Sequence, residues 1–176
     1  SLGAETILIS GPVSLSPPPN VTLVSVESAK EMLDAVLLHF DTATMVVKTA
    51  AVADYKPKEV HLQKMKKQQG ESVIVLERTT DILLELGKRK KDQLLIGFAA
   101  ETNDVIHYAK SKLDKKNADY IIANDVTEEG SGFGTDTNAV TLVGKNIEQY
   151  FGHQTKKVLA LQLLQTIIQL EKDDAK

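Results

Sequence analysis

Short apolar runs alternate with amphipathic stretches along almost the whole chain, and that alternation leaves few folds open. Runs 5–10, 21–26, 45–49, 72–77, 93–98 and 119–124 have the length of buried or half-buried strands. Between them apolar residues recur at helical spacing. Ala29, Met32, Leu33, Val36, Leu37 and Phe40 mark one helical face, and Val105, Ile106, Ala109 and Leu113 another. Ile82, Leu83 and Leu86 form a shorter stripe, and Val158, Leu161, Leu164, Ile167 and Ile168 are the inward set expected of a last helix. Ser28 with Glu31 is a capping box, and Thr79-Thr80-Asp81 supplies a second helix start. The strand–helix–strand order over 21–49 predicts a right-handed parallel crossover. The chain as a whole reads as α/β: a Rossmann-like three-layer sandwich with a mainly parallel sheet. Gly144-Lys145-Asn146, between apolar runs, predicts an antiparallel hairpin near the C-terminus. With no internal repeat, residues 1–176 are read as one domain.

The chemistry concentrates where three of these strands end. Met45 to Thr49 runs out from Lys48 and Thr49 into Ala50 and Ala51, then Asp54, then the cations Lys64, Lys66 and Lys67. Small residues let backbone N–H groups approach a ligand. A carboxylate at a strand end holds a metal ion or a ribose hydroxyl, and lysines on a loop close over phosphates. The stretch from Ala50 to Gly70 has no period and is long for a mere connection, which favours function. A second strand ends at Phe98-Ala-Ala-Glu101 and a third at Asn124-Asp125. In open parallel sheets ligands bind outside the carboxyl ends of the strands. Each feature has a plainer reading: Asp54 as a turn residue beside Pro57, Lys64–Lys67 as a solvated run, Phe98 as core, and Lys112 and Lys116 as an i,i+4 surface pair. Pro17-Pro18-Pro19 stiffens a loop across the end of a sheet.

Several classes are set aside. The net charge of −3 argues against a nucleic-acid coat. The absence of cysteine excludes disulfides and thiolate chemistry, and the four histidines lack metal-ligand spacing. No apolar run approaches the roughly 18–20 residues of a membrane span, and no signal-peptide pattern opens the sequence, so a cytoplasmic enzyme without membrane or nucleic-acid partners is expected. Neither GxGxxG nor a Walker loop is present.

Five stretches in order, Gly11-Pro-Val-Ser-Leu15, Ala50-Ala-Val-Ala-Asp-Tyr55, Lys64-Met-Lys-Lys67, Gly97-Phe-Ala-Ala-Glu-Thr-Asn103 and Ala123-Asn-Asp-Val126, resemble bacterial phosphopantothenoylcysteine synthetase. That domain is usually the carboxy-terminal half of a bifunctional coenzyme A biosynthesis protein. The resemblance covers essentially the whole chain. It implies ligation of 4′-phosphopantothenate to L-cysteine through an acyl-cytidylate, with CTP as co-substrate and Mg2+ as cofactor. It also implies a homodimer, with the hairpin as a candidate interface, a fused decarboxylase domain in the full-length protein, and no FMN in this part. Carried over by motif, Lys64 and Asp54 are the catalytic candidates, Asp54 also being a candidate metal contact through Mg2+. Lys48, Thr49, Ala50, Asp54, Lys64, Thr80, Asp81, Ile82, Leu83, Phe98, Lys112 and Lys116 are implied to contact nucleotide, and Ala50 and Ala51 to line the phosphopantothenate side. Thr79-Thr80 stands where the family has Asn-Pro, so main-chain contacts are expected there rather than side-chain ones. The family's Gly-rich turn and Arg-x-Ile-Ser-Asn-x-Ser-Ser-Gly stretch precede the first residue here, so a domain truncated at its amino-terminal end is expected. Two alternatives stay open: a nucleotide-binding, dimerising fragment without turnover, and a dinucleotide-binding oxidoreductase domain.

Overall fold

The computed structural model describes residues 3–60, 63, 73–127 and 134–174. They form two compact units, one from 1–42 with 50–85, the other from 43–49 with 86–176.

In the first unit, β1 (Ile7–Ser10) and β2 (Thr22–Ser25) pair in parallel, Ile7 opposite Thr22 and Ser10 opposite Ser25. Helix α1 (Ala29–Phe40) follows and buries Phe40, with Met32, Leu33, Val36 and Leu37 half-buried along the expected stripe. Its start uses the capping pair. Ser28 Oγ accepts from the Glu31 N–H at 3.1 Å, and the Glu31 carboxylate accepts from the Glu27 N–H at 2.8 Å and from the Ser28 hydroxyl at 3.1 Å. The Glu27 N–H, then the Ser28 hydroxyl, hold the Glu31 carboxyl below the usual carboxylate range. Ser28→Ala is expected to cost about 1 kcal/mol, read as a lower urea midpoint at unchanged slope.

A short ribbon completes this unit. β4 (Tyr55–Pro57) lies antiparallel to β5 (Leu76–Arg78), with the Arg78 guanidinium 5.7 Å from the centre of the Tyr55 ring and Lys56 paired to Glu77 at 3.1 Å. Three residues ending in a proline carry no readable period, so β4 was not foreseen. The strand expected over 72–77 lies later, because pairing begins where Leu76 meets Pro57.

The crossover expected over 21–49 is not formed. β2 pairs with β1, whose stiff connection from Gly11 to Val21 is itself long enough to return the chain in parallel. Strand β3 (Met45–Lys48) belongs instead to the second unit, in a five-stranded sheet ordered β3, β6 (Leu94–Glu101), β7 (Tyr120–Asp125), β8 (Thr137–Gly144) and β9 (Glu148–Thr155). β3, β6 and β7 run parallel, whereas β7, β8 and β9 are successively antiparallel. The sheet is mixed: three parallel strands carry the expected antiparallel hairpin, which joins side by side and supplies half the pairings.

Alternation along the strands sorts this sheet into two faces. Ile96, Tyr120, Ile122, Val140 and Leu142 point one way, where Phe151 and Leu159, Leu163 and Ile167 of α4 (Lys156–Asp174) complete a buried cluster. Leu95, Ile121 and Val143, all fully buried, point the other way, toward α3 (Val105–Lys116), which buries Ala109 and Leu113. Helix, sheet and helix give the three layers. The inward face of α4 differs from expectation: Val158 and Leu161 are 44% and 45% exposed, and the 159–163–167 series is buried instead. Apolar residues surround most of α4, so periodicity alone did not choose a face.

Two close contacts fix how the chain enters this sheet. Helix α2 (Ile82–Arg89) brings Gly87 against the C-terminal end of α3, where a Cβ on Gly87 would stand 1.8 Å from the Lys116 carbonyl oxygen. Asn117, in the left-handed conformation at φ 50°, closes α3 and donates from Nδ2 to the Gly87 carbonyl at 2.8 Å. Just before β7, the Asp119 carboxylate accepts from Lys90 Nζ and from the Leu95 N–H, both at 2.7 Å.

Candidate functional site

Three parallel strands of the second unit end side by side. β3 ends at Lys48, opposite Gly97, while β6 and β7 run on together until Glu101 meets Asp125. The direction of the β6 backbone groups follows from its bonds. Leu95 O accepts from the Asp119 N–H at 2.8 Å and Glu101 O from the Val126 N–H at 3.1 Å, so odd-numbered carbonyls face β7. Leu94 N donates to Thr44 O at 2.9 Å, so even-numbered groups face β3. Past Lys48, the Phe98 carbonyl and the backbone groups of Ala100 thus face the side on which the strand pairing has stopped.

Side chains converge on the same rim. Lys112, half-buried on α3, donates from Nζ to the Phe98 carbonyl at 2.7 Å. Lys116, also half-buried, lies one turn later on α3, farther from this rim, where its carbonyl stands against Gly87. The Phe98 ring is half-buried and packs on the core cluster, so what it brings to the rim is largely backbone. At the end of β7 the Thr127 hydroxyl donates to Asp125 Oδ1 at 2.6 Å and the Thr127 N–H at 2.9 Å, and these hold the Asp125 carboxyl below its usual range. Lys48 is half-buried and Thr49 exposed.

The sequence reading marked Asn124 as part of a strand end on the rim without giving it a contact of its own, and its Oδ1 is the one buried side-chain atom without a hydrogen-bond partner among the described residues. Asn124 is 7% exposed and lies on the Ile122 face, opposite Ala100 across the β6–β7 pairing. An unmet buried acceptor costs about 1–3 kcal/mol, and retaining one at a strand end is understandable if a bound molecule supplies the donor. The signal was in the sequence: one amide interrupts the otherwise apolar run Tyr120–Ala123. Asn124→Leu is expected to leave the fold as stable or raise the melting temperature by a few degrees, because it removes an unpaired polar atom at similar volume.

The other expected residues lie in the first unit. Asp54 is exposed; its carbonyl accepts from the Thr79 N–H at 2.9 Å, which ties it to the β4–β5 ribbon. Ala50 is half-buried and Ala51 exposed. Thr80 is exposed, and Asp81 caps α2, its Oδ1 accepting from the Leu84 N–H at 2.9 Å. Ile82 and Leu83 bury their side chains, leaving backbone as the part a ligand can reach. Lys64, Lys66 and Lys67 lie outside the described residues. Among the described residues no three His, Cys, Asp or Glu side chains cluster as a metal cage. A cleft of about 680 Å3, lined by Lys90, Lys110, Asp119, Tyr120, Lys145 and Glu171, opens at the amino end of β7, away from this rim.

Residues 1–170 match the family model described as DNA/pantothenate metabolism flavoprotein C-terminal domain. The chain belongs to that family. The coenzyme A biosynthesis bifunctional protein CoaBC of Bacillus subtilis (strain 168) is 50% identical to this chain over 178 aligned residues, covering 97% of the chain and 43% of the relative. CoaBC of Vibrio vulnificus (strain CMCP6) is 41% identical over 169 residues, 94% of the chain and 42% of the relative. The crystal structure of the C-terminal domain of a CoaBC superposes with a TM-score of 0.80 at 49% identity, covering 98% of this chain and 79% of that one. The chain thus spans less than half the length of these curated relatives. Among its described residues, no helix is long and apolar enough to cross a membrane.

Proposed function

We propose that this domain is the ligase part of a coenzyme A biosynthesis protein, joining 4′-phosphopantothenate to L-cysteine at the expense of CTP. The observation that carries this is the 50% identity to the B. subtilis bifunctional protein across 97% of the chain. The three neighbouring strand ends give the reading a physical setting. A carboxylate is a poor acyl donor until its oxygen becomes part of a good leaving group. In the first step a carboxylate oxygen of phosphopantothenate bonds to the α-phosphorus of CTP, the bond to the β-phosphate oxygen breaks, and pyrophosphate leaves. In the second, the cysteine amine adds to the acyl carbon, the bond to the cytidylate oxygen breaks, the nitrogen loses a proton, and CMP leaves.

The residues of this chain serve by binding and by charge. Lys112 and Lys116 offset negative charge on the nucleotide, and so does Lys64, which follows β4 in the sequence. Ala50 and Ala51 admit phosphopantothenate close to backbone, and the backbone at Thr80–Leu83 meets the nucleotide. Without a carboxylate cage in the described residues, Mg2+ fits as an ion carried by the triphosphate with one protein carboxylate, Asp54 being the candidate. It would supply neutralisation of phosphate charge. Asn124 Oδ1 then has a donor to meet on a bound substrate. A homodimer, a fused decarboxylase and action in the cytoplasm belong to the same reading.

The experiment is pyrophosphate release from CTP and phosphopantothenate with Mg2+, followed by cysteine-dependent release of CMP. Pyrophosphate release that needs phosphopantothenate supports the reading. CTP binding by calorimetry without pyrophosphate release would instead favour a binding domain without turnover, and no heat at all would end the nucleotide reading.

A further inference from the structure

Between β3 and β4 the chain runs from Thr49 to Asp54 outside any helix or strand. This stretch carries Ala50, Ala51 and Asp54, and its far end is held by Thr79. The Thr79 N–H donates to the Asp54 carbonyl at 2.9 Å, and the Thr79 hydroxyl donates to the Ala53 carbonyl at 2.5 Å. The two bonds differ in kind. The first continues the β4–β5 ribbon one step beyond the Tyr55–Arg78 pair, and any residue except proline can make it. The second belongs to the side chain. Threonine is stiff at χ1, so its hydroxyl is held in one direction, and Thr79 is half-buried, which limits competition from water.

Thr79 is also anchored from behind. Two residues on, Asp81 caps α2, accepting at Oδ1 from the Leu84 N–H at 2.9 Å and at its carbonyl from the Glu85 N–H at 3.0 Å. Ile82 and Leu83, both buried, root that first turn. The short span 79–83 thus joins the end of the small-residue stretch to the start of a helix.

We infer that Thr79 is a positioning residue for the acid substrate: its hydroxyl, by holding the Ala53 carbonyl, sets where Ala50 and Ala51 stand beside phosphopantothenate. The inference rests on the ligase reading above and deepens it, giving a role to a residue that touches no substrate. Alanine side chains carry no group that could hold this stretch, so its course depends on what grips its backbone. Because the grip forms on folding, ordering of the stretch does not oppose binding. Asp54 keeps its backbone bond to residue 79 whatever the side chain there, so the nucleotide side is affected less.

The test compares the 176-residue chain with Thr79→Val, which keeps the shape and loses the hydroxyl, and Thr79→Ser, which keeps the hydroxyl. It reads kcat and the KM values for phosphopantothenate and CTP in pyrophosphate release with Mg2+, well below the melting midpoint. It also reads the 13C resonance of the Ala53 carbonyl without ligands. Thr79→Val is expected to raise the KM for phosphopantothenate roughly five- to tenfold, as loss of one neutral hydrogen bond does, with kcat unchanged and the KM for CTP raised less than about twofold. Thr79→Ser should bring the first value back to within about threefold of wild type, the partial rescue expected of a less rigid hydroxyl. The Ala53 resonance should move in the valine protein and hold its place in the serine protein. A hydroxyl that serves stability alone would lower the melting midpoint and leave both KM values unchanged, and that result overturns the inference. An equal rise in both KM values overturns it too, as does an Ala53 resonance indifferent to valine. Absence of pyrophosphate release from wild type removes the ligase reading and the role given to Thr79 with it. The Ala53 resonance would still separate valine from serine in that case, which distinguishes the two failures.

Discussion

Gly87→Ala is expected to destabilise the protein by about 3–5 kcal/mol and to lower the melting temperature by roughly 10 °C. The new methyl carbon would stand 1.8 Å from the Lys116 carbonyl oxygen and 2.8 Å from its carbonyl carbon. Both atoms are backbone in the last turn of α3, so no side-chain rotation relieves the clash. Relief requires α2 and α3 to move apart, which stretches the 2.8 Å bond from Asn117 Nδ2 to the Gly87 carbonyl. The helical preference of alanine over glycine offsets at most about 1 kcal/mol of this. Thermal unfolding followed by circular dichroism decides the matter, and an unchanged midpoint would mean that the two helices do not approach this closely.

Asp119→Ala is expected to cost about 2–3 kcal/mol, and Asp119→Asn about half as much. The carboxylate serves two donors at once, Lys90 Nζ and the Leu95 N–H, each at 2.7 Å. The Lys90 side chain is 13% exposed and that of Asp119 31%, so the pair is shielded on one side and open on the other, which tempers the full cost of a stranded buried charge. Asparagine keeps an oxygen for the Leu95 N–H and loses only the charge. Urea unfolding of both variants should preserve that order. If asparagine proves as damaging as alanine, the ion pair and not the strand bond carries the stability.

Much of this architecture was legible in the residues, and the failures have physical causes. Apolar runs found the core strands because β6 and β7 are covered on both faces and need continuous apolar sequence. The Ser28–Glu31 pair marked the start of α1 because both side chains are spent on local backbone and on each other. Pairing was less legible. Nothing in 21–26 says that its neighbour is 7–10 rather than 45–48, since a strand's own pattern reports burial and not partners. The α4 face was misjudged for the opposite reason, an excess of apolar choices: Val158, Leu159, Leu161, Leu163 and Leu164 compete, and only the packed sheet selects among them. At the rim, residue types flagged the strand ends, but the Lys112–Phe98 bond joins a side chain to a carbonyl, and no spacing of side chains announces a carbonyl. Asn124 was legible in type and not in consequence, because an amide at a strand end is ordinary until its oxygen is found without a donor.

The route of the chain through the five-stranded sheet has a kinetic consequence. β6, β7, β8 and β9 are neighbours both in sequence and in space, so their contacts close over shorter stretches of chain, α3 bridging β6 to β7. β3 meets β6 only after the chain has passed through residues 50–85, which belong to the other unit. Closing that long loop costs entropy that local pairs do not pay, so the four local strands should condense first and Met45–Lys48 should dock late. In native-state hydrogen exchange the amides of that strand should open at lower free energy than those of β7.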